Sequence, residues 1–224
     1  MQYNSNKMSY LFGVLSQAGV SLRREAVMDT WFNLIKNGDK LVFIVGDPSI
    51  IEPKLVENIL TVPCQDTYEA LCEKTKWFLS WASKKSEFKY IFKCDDDTYV
   101  RPERLESLPD FDYVGFFWAH IDPLTKILDQ TYFASGGAGY LLKNKHSKKV
   151  SETIPQTQLK YPGRDTIEDM MVGLSVRDLG LSKKHTDLLQ PGCAYATKIP
   201  KRNNKIISGH YLSPIEMRKV HADF

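Results

Sequence analysis

Three consecutive aspartates stand directly after an apolar segment that is typical of a buried β-strand. The segment covers residues 90–94, and Asp95, Asp96 and Asp97 follow it. Ligands of open α/β sheets bind at the carboxyl ends of the strands. Because adjacent carboxylates repel one another, a divalent cation would offset the cost, and carboxylate oxygens suit Mg²⁺ or Mn²⁺. A solvated acidic turn is the alternative, since short acidic clusters are common in loops.

The alternation of side chains along an extended backbone predicts on which side of the chain each carboxylate lies. Asp95 and Asp97 should share one side of the chain, and Asp96 should take the other. A D-x-D pair can hold a metal that also grips a diphosphate, and the metal then offsets the charge that grows on the leaving group. The pattern therefore predicts a metal site that serves phosphate chemistry.

An acidic pair and a histidine later in the chain are the next candidates. Glu168 and Asp169 stand at the start of a predicted helix, where acids also stabilise the helix dipole without any catalytic role. A carboxylate there could instead act as a general base for a hydroxyl group. His210 is either a structural histidine or an imidazole ligand that completes a manganese site begun by carboxylates.

The glycine-rich segment 134–140 does not have the spacing of a dinucleotide-binding fingerprint, and no helix follows it directly. We interpret Gly136 and Gly137 as positions where the backbone approaches a ligand or another strand closely.

Apolar strands alternate with helical segments, which predicts an α/β fold with a mainly parallel sheet flanked by helices. We expect one domain over residues 1–224, because the length suits a single large domain and no repeat or linker interrupts it. The expected strands are residues 10–15, 41–45, 61–62 at an edge, 90–94, 113–116 and part of 133–142. The expected helices are residues 22–35 with Ser21 as N-cap, a weak helix after Pro53, one capped by Asp66 or Thr67, one after Pro102, and two that start near Asn144 and Thr166. Beyond Gly180 the chain is expected to be irregular.

Charge and composition exclude several classes of partner. The formal net charge is +3 and the sequence is 42% hydrophobic, without an arginine-rich block, so we expect no nucleic-acid partner. No apolar run approaches the roughly 20 residues of a membrane span. The four cysteines form no CxxC pair and are interpreted as free, partly buried thiols.

Six segments, in the expected order, resemble the motifs of one family, the β-1,3-glycosyltransferases of the galactosyltransferase, N-acetylglucosaminyltransferase, Fringe and core-1-synthase group. They are residues 22–31 (LRREAVMDTW), 66–75 (DTYEALCEKT), 93–100 (KCDDDTYV), 134–140 (ASGGAGY), 168–173 (EDMMVG) and 210–217 (HYLSPIEM). Each segment alone is modest evidence, but six in register are specific.

The resemblance implies a GT-A fold, a UDP-sugar donor, manganese (or magnesium) and inversion at the anomeric carbon. It implies that Asp97 is a metal ligand and His210 a second one, with Asp95 and Asp96 contacting the metal or the donor. Arg23 and Arg24 would lie near the nucleotide or support the fold there.

The same resemblance implies that Asp169 is the catalytic base, with Glu168 as its neighbour or substitute, and that Gly136 and Gly137 line the sugar site. The acceptor would be a glycan or glycoprotein. Aromatic rings suit the C–H face of a sugar. Trp118, Tyr132 and Phe133 are candidates for such a surface, with core packing the stronger interpretation of Phe133.

Animal members of that group are usually anchored Golgi proteins with a stem and disulfides, and this sequence shows neither an anchor nor a signal peptide. We therefore expect a cytoplasmic protein, with the Golgi lumen as the alternative only for a trimmed sequence. Three other functions remain as alternatives: a metal-dependent phosphohydrolase, a retaining glycosyltransferase, and a non-catalytic module that binds a UDP-sugar or a glycan.

Overall fold

An eight-stranded mixed sheet forms the centre of the protein. The computed structural model describes residues 9–118, 120–121, 128–129, 133–192 and 205–223. The strands are β1 (Tyr10–Leu15), β2 (Lys40–Gly46), β3 (Lys54–Val56), β4 (Ile59–Val62), β5 (Tyr90–Asp95), β6 (Tyr99–Val100), β7 (Tyr113–Gly115), β8 (His120–Ile121), β9 (Leu128–Asp129), β10 (Tyr140–Lys143), β11 (Lys183–His185), β12 (Leu189–Gln190) and β13 (Ser208–Gly209). The central sheet has the order β11-β7-β10-β5-β1-β2-β4-β3.

The middle of this sheet is parallel. Strand β1 pairs in parallel with β2 and β5, and β2 pairs in parallel with β4. Strand β10 is antiparallel to both of its neighbours, so the residues before it reach the edge at which β5 ends. The carboxyl ends of β1, β2 and β5 and the amino end of β10 therefore meet along one edge of the sheet.

Helices cover both faces of the sheet. They are α1 (Ser21–Asp29), α2 (Leu71–Ala82), α3 (Ser147–Lys160), α4 (Glu168–Asp178) and α5 (Pro214–Ala222), with short 3₁₀ segments at Trp31–Leu34, Pro102–Ser107 and Asn144–His146. Side chains of β1 alternate between two apolar cores. Leu11 and Leu15 pack with residues of α2 and α4, whereas Phe12 and Val14 pack with residues of α1 and α5. The predicted α/β arrangement is confirmed.

A small sheet of order β12-β13-β6 joins the late part of the chain to the main sheet. After β13, the backbone N–H of Leu212 donates to the carbonyl of Asp97 at 2.9 Å. Helix α5 then starts with a capping box, in which Ser213 and Glu216 each bond the backbone N–H of the other. These bonds hold residues 210–213 against the carboxyl end of β5.

Several predicted elements are wrong near the edge of the sheet. The segment after Pro53 forms no helix but a β3–β4 hairpin, whose turn includes Glu57 with φ +52°. The pairing of β4 with β2 favours this conformation, which is a tertiary effect. Strand β4 is also not an edge strand, because β3 lies outside it.

The predicted helix boundaries also need correction. Ser21 lies in α1 rather than capping it, and the helix stops at Asp29 before the 3₁₀ turn. Helix α2 starts at Leu71, so neither Asp66 nor Thr67 is its N-cap. Beyond Gly180 the chain is more regular than expected, since β11, β12, β13 and α5 lie there.

The cysteines that the structure describes are free thiols, as expected. Cys64, Cys72 and Cys94 are free, whereas Cys193 lies outside the described residues. Across the described parts of the chain, no helix combines the length and the apolar character that crossing a bilayer would require.

A buried ion pair ties α2 to the ends of β1 and β2. Lys74 is fully buried, and its Nζ lies 2.6 Å from Asp66 Oδ1 and donates to the carbonyl of Ser16 at 2.9 Å. Asp66 also accepts the backbone N–H groups of Gly46 at 2.8 Å and Ala18 at 2.6 Å. The pair therefore fixes the end of β1, which neighbours the aspartate cluster, and the end of β2 on the far side of β1.

Replacing Lys74 by Met should lower the free energy of unfolding by about 3 kcal/mol, because it leaves the Asp66 carboxylate without its cation. Urea denaturation measures this change. Lys76→Met on the same helix is the matched control, since Lys76 pairs with Glu73 near the surface and should cost at most about 0.5 kcal/mol. Equal losses in the two variants would contradict the anchoring role.

Candidate active site

Asp95, Asp97 and His210 converge where β5 ends and β13 passes. One ligand atom from each lies within 4.8 Å of the others. His210 Nε2 is 3.0 Å from Asp97 Oδ1 and 3.8 Å from Asp95 Oδ2. Asp97 Oδ1 is buried without a hydrogen-bond partner among the described residues. An orphaned carboxylate oxygen beside a second carboxylate and an imidazole fits a divalent cation such as Mn²⁺.

Asp96 faces the opposite way, as the alternation predicts. Its Oδ2 accepts from the Ser16 hydroxyl at 2.7 Å and its Oδ1 from Arg23 Nη1 at 3.2 Å. Burial raises the pKa of the Asp96 carboxyl, and the bonds from Ser16 and Arg23 offset part of that rise. Asp96 therefore does not join the metal cluster but holds Arg23 beside it, 3.8 Å from Asp97 Oδ2.

The two arginines of α1 have different surroundings. Arg23 is half-exposed and lines the cleft described below. Arg24 turns back to the loop after β1, where it donates to the Ser16 hydroxyl and to the carbonyls of Gln17 and Ala18. Arg24 thus supports the fold, and Arg23 is the one of the pair that can meet a ligand.

The glycine-rich segment makes room for the protein's own side chains. A Cβ on Gly137 would lie 2.0 Å from Cε1 of His210, and one on Gly136 would lie 2.5 Å from Glu168 Oε2. The Gly137 carbonyl also accepts from the Thr98 hydroxyl at 2.7 Å. Both glycines line the cleft, but the close approach that requires glycine at Gly137 is to the imidazole.

Glu168 is buried and fully engaged by neighbours. Its Oε2 accepts from Lys93 Nζ at 2.8 Å, and its Oε1 accepts from the Thr75 hydroxyl at 3.0 Å and the Tyr140 hydroxyl at 3.1 Å. A carboxylate with these three donors has little capacity left for a substrate proton. Glu168 is thus suited to support the site rather than to act as its base.

Asp169 is placed differently, although it is the next residue. It is half-buried, lines the cleft and accepts from the backbone N–H of Gly136 at 3.2 Å. Burial, and then the charge of Glu168, raise the pKa of Asp169 to about 6. A carboxylate with that pKa is charged at neutral pH and accepts a proton more readily than an ordinary aspartate.

Lys93 links the two acidic groups, and our sequence reasoning missed its role. Its buried Nζ lies 3.3 Å from Asp95 Oδ1 and 2.8 Å from Glu168 Oε2, and it donates to the carbonyl of Gly136 at 3.3 Å. Burial works to lower the pKa of Lys93, but Asp95 and Glu168 outweigh it and raise that pKa. The signal was a lysine inside an otherwise apolar strand, because such a charge is buried only when it is paired.

These groups surround one cleft of about 470 Å³. The predicted residues that line it are Arg23, Asp95, Asp96, Asp97, Gly136, Gly137, Glu168, Asp169 and His210, whereas Arg24 does not. Trp118 also lines the cleft and is 44% exposed, while Phe133 is buried in the core. Tyr132 lies outside the described residues. The cleft also takes in Tyr68 and Tyr211, which were not predicted as site residues.

The sequence is similar to those of glycosyltransferases. A family model described as Galactosyltransferase matches residues 22–113. Two hydroxyproline O-galactosyltransferases of Arabidopsis thaliana are 24% and 25% identical, over 94% and 92% of this chain and 34% and 33% of their own length. The mouse (Mus musculus) UDP-GlcNAc:betaGal beta-1,3-N-acetylglucosaminyltransferase 7 is 24% identical over 71% of this chain and 48% of its own length.

The chain thus spans about a third of the length of the plant relatives and about half of the mouse relative. These matches confirm the resemblance to the β-1,3-glycosyltransferases that the six motifs predicted.

The fold is similar to that of a solved glycosyltransferase involved in the glycosylation of the major capsid of PBCV-1. The TM-score is 0.57 at 14% identity, over 97% of this chain and 100% of that one. At this identity the likeness concerns the fold, and it confirms the predicted GT-A arrangement.

The contact between Gly137 and His210 can be tested directly. Gly137→Ala should weaken Mn²⁺ binding about tenfold or more, because the new Cβ displaces the imidazole from Asp95 and Asp97. The loss of the free Mn²⁺ signal in electron paramagnetic resonance, recorded with UDP present, measures it. Gly19→Ala is the control, since a Cβ there meets no atom within 4 Å. Unchanged Mn²⁺ affinity in Gly137→Ala would contradict the assignment of His210 as a metal ligand packed against Gly137.

Proposed function

We propose that this chain transfers a sugar from a UDP-sugar to an acceptor hydroxyl, with a divalent metal, inversion at the anomeric carbon and formation of a β-1,3 linkage. The observation that carries the proposal is the juxtaposition in one cleft of a carboxylate–imidazole cluster with a carboxylate suited to act as a base. The confirmed resemblance to the β-1,3-glycosyltransferases supports it, because that group implies the same donor, metal and stereochemistry.

The donor side of the cleft is built to receive negative charge. Asp95, Asp97 and His210 would hold Mn²⁺ or Mg²⁺, and the cation supplies positive charge that stabilises the departing diphosphate. Arg23 adds a half-exposed guanidinium beside the same cluster, where it can donate to phosphate oxygens. Asp96 keeps that guanidinium in place, so its role is to position Arg23 and not to bind the metal.

Asp169 takes the proton in this proposal. The acceptor oxygen forms a bond to the anomeric carbon while the bond from that carbon to the UDP oxygen breaks. The hydroxyl proton passes to Asp169, and the electron pair of the broken bond leaves with UDP. Glu168 is the weaker candidate for the base, because Lys93, Thr75 and Tyr140 already occupy its oxygens.

The acceptor is a glycan or glycoprotein in this proposal. The names of the relatives describe transfer of galactose to hydroxyproline for the two plant proteins and of N-acetylglucosamine for the mouse protein. Trp118 is one of the exposed aromatic side chains at the cleft, and it offers a face on which an acceptor sugar ring can stack.

A panel of UDP-sugars tests the proposal. With Mn²⁺ and no acceptor, we expect slow release of UDP from one donor, and loss of that release on chelation or in Asp97→Ala, because the cluster then lacks its central carboxylate. Coupled detection of UDP measures it, and Asp47→Ala on a surface turn is the matched control. Release of inorganic phosphate instead of UDP would indicate a phosphohydrolase. Binding of UDP and Mn²⁺ without any turnover, even with glycan acceptors, would indicate a binding module.

The base is tested by Asp169→Asn. Turnover should fall about 10²- to 10⁴-fold, because an amide cannot take the hydroxyl proton, while UDP and Mn²⁺ binding remain. In the unaltered protein, turnover should fall as the pH drops below about 6, since protonation of Asp169 with its pKa of about 6 removes the base. A pH–rate profile at saturating Mn²⁺ measures this limb.

Two further variants test whether the acid limb of the pH–rate profile belongs to Asp169: a control and a variant of the neighbouring acid. Asp178→Asn neutralises an acid at the other end of α4, where it pairs with Lys160, and should leave the profile unchanged. Glu168→Gln should move the acid limb to lower pH, because the charge of Glu168 is one cause of the raised Asp169 pKa. Near-normal turnover in Asp169→Asn would transfer the role of base to another group.

A further inference from the structure

We propose that Tyr211 is a positioning residue, whose left-handed backbone conformation holds its ring on the His210 imidazole and so orients that imidazole for a divalent cation. This inference rests on the metal site of the proposed function. It concerns a side chain that neither the motifs nor the comparisons assign to the site.

The backbone of Tyr211 has a left-handed conformation that residues other than glycine rarely adopt. Its φ is +64°, and among the described residues Glu57 is the only other non-glycine with positive φ. Glu57 lies in the turn of the β3–β4 hairpin, where such a conformation serves the reversal of the chain. Tyr211 lies in no hairpin turn but in the connection between β13 and α5. Strain of this kind persists where the surrounding structure imposes it, and it concentrates at functional sites.

Hydrogen bonds on both sides of Tyr211 impose the conformation. The His210 N–H donates to the Gln190 carbonyl at 3.2 Å, and the Leu212 N–H donates to the Asp97 carbonyl at 2.9 Å. The Ser213 cap of α5 follows at once. The chain must therefore leave β13, pass Tyr211 and return to the aspartate cluster within three residues.

Burial of the tyrosine does not repay the strain, since the side chain is 63% exposed. What the conformation achieves is a stack: the ring centroids of His210 and Tyr211 are 3.8 Å apart, with an angle of 24° between the planes. The Gly137 backbone also packs closely against the imidazole. The two contacts together fix the imidazole plane while its Nε2 points at Asp97 and Asp95.

An imidazole held in this way loses little rotational freedom when a cation binds. Groups that orient a metal-binding histidine commonly change metal affinity about 10- to 100-fold when they are removed. The usual orienting contact is a hydrogen bond to the second ring nitrogen. In this proposal the stacked Tyr211 ring orients the imidazole in place of such a hydrogen bond. The left-handed backbone of Tyr211 places the ring in the stack.

Substitutions at Tyr211 separate the stack from the strain. Tyr211→Phe keeps the ring and should bind Mn²⁺ like the unaltered protein. Tyr211→Leu removes the aromatic face and should bind Mn²⁺ about tenfold more weakly. Tyr211→Gly removes the ring and relieves the backbone, so it should weaken Mn²⁺ binding by a similar factor while raising the Tm by about 2–4 °C. Titration of Mn²⁺ with UDP present, followed by paramagnetic resonance, and thermal unfolding without metal provide the two readouts.

Glu57→Gly is the matched control, because it relieves the other positive φ far from the cleft. It should raise the Tm without changing Mn²⁺ affinity. Unchanged Mn²⁺ affinity in Tyr211→Leu and Tyr211→Gly would overturn the inference while leaving the proposed function intact. A lower Tm in Tyr211→Gly would also overturn it, since Tyr211 would then be structural. Absence of Mn²⁺ binding in the unaltered protein would contradict both this inference and the metal site.

Discussion

Repulsion among carboxylates is the constraint on which the rest of the site depends. Five acidic side chains line one cleft: Asp95, Asp96, Asp97, Glu168 and Asp169. Lys93 lies between the two groups, because its ammonium contacts Asp95 and Glu168 from within the sheet. A buried lysine that remains charged compensates acids on both sides, and it joins β5 to the start of α4. The Lys93 ammonium therefore couples the position of the sheet edge to that of α4. The negative charge that Lys93 does not compensate lies on the remaining carboxylates of the cleft.

The parts of the fold that sequence patterns predicted are those whose own residues decide the conformation. Strands β1, β2 and β5 are long apolar runs in the middle of a parallel sheet, and such runs read as strands without tertiary information. Most strands of two or three residues carry no such signal, so β11, β12 and β13 were missed and β3 was taken for a helix, whereas the apolar β7 was predicted. Asp66 illustrates a second limit. The sequence around it is typical of a helix N-cap, but its carboxylate instead forms a tertiary ion pair with Lys74.

The set of residues that lie together in the cleft was predicted better than the edges of the fold, because these residues occur in short motifs with a chemical reason for their spacing. Alternation along the chain was enough to separate Asp96 from Asp95 and Asp97. It could not show that Asp96 holds Arg23, since that contact joins β5 to α1. The contacts of Lys93 and the proposed role of Tyr211 also escaped prediction. The first depends on which side chains surround a buried strand position, and the second on a backbone angle that no sequence pattern specifies.

The division of roles between Glu168 and Asp169 follows from their position at the start of a helix. Adjacent helical residues point in directions about 100° apart, so one side chain of the pair can reach the sheet while the other faces the cleft. For Asp169 the helix dipole favours the charged form of the carboxyl, whereas burial opposes it. The carboxylate of Glu168 is instead held by three donors, Lys93, Thr75 and Tyr140. For Asp169 the bond from Gly136 only partly offsets burial and the fixed charge of its neighbour, which leaves the pKa near 6. Glu168 thus helps to raise the pKa of the group proposed as the base, and Gly136 leaves room for both side chains.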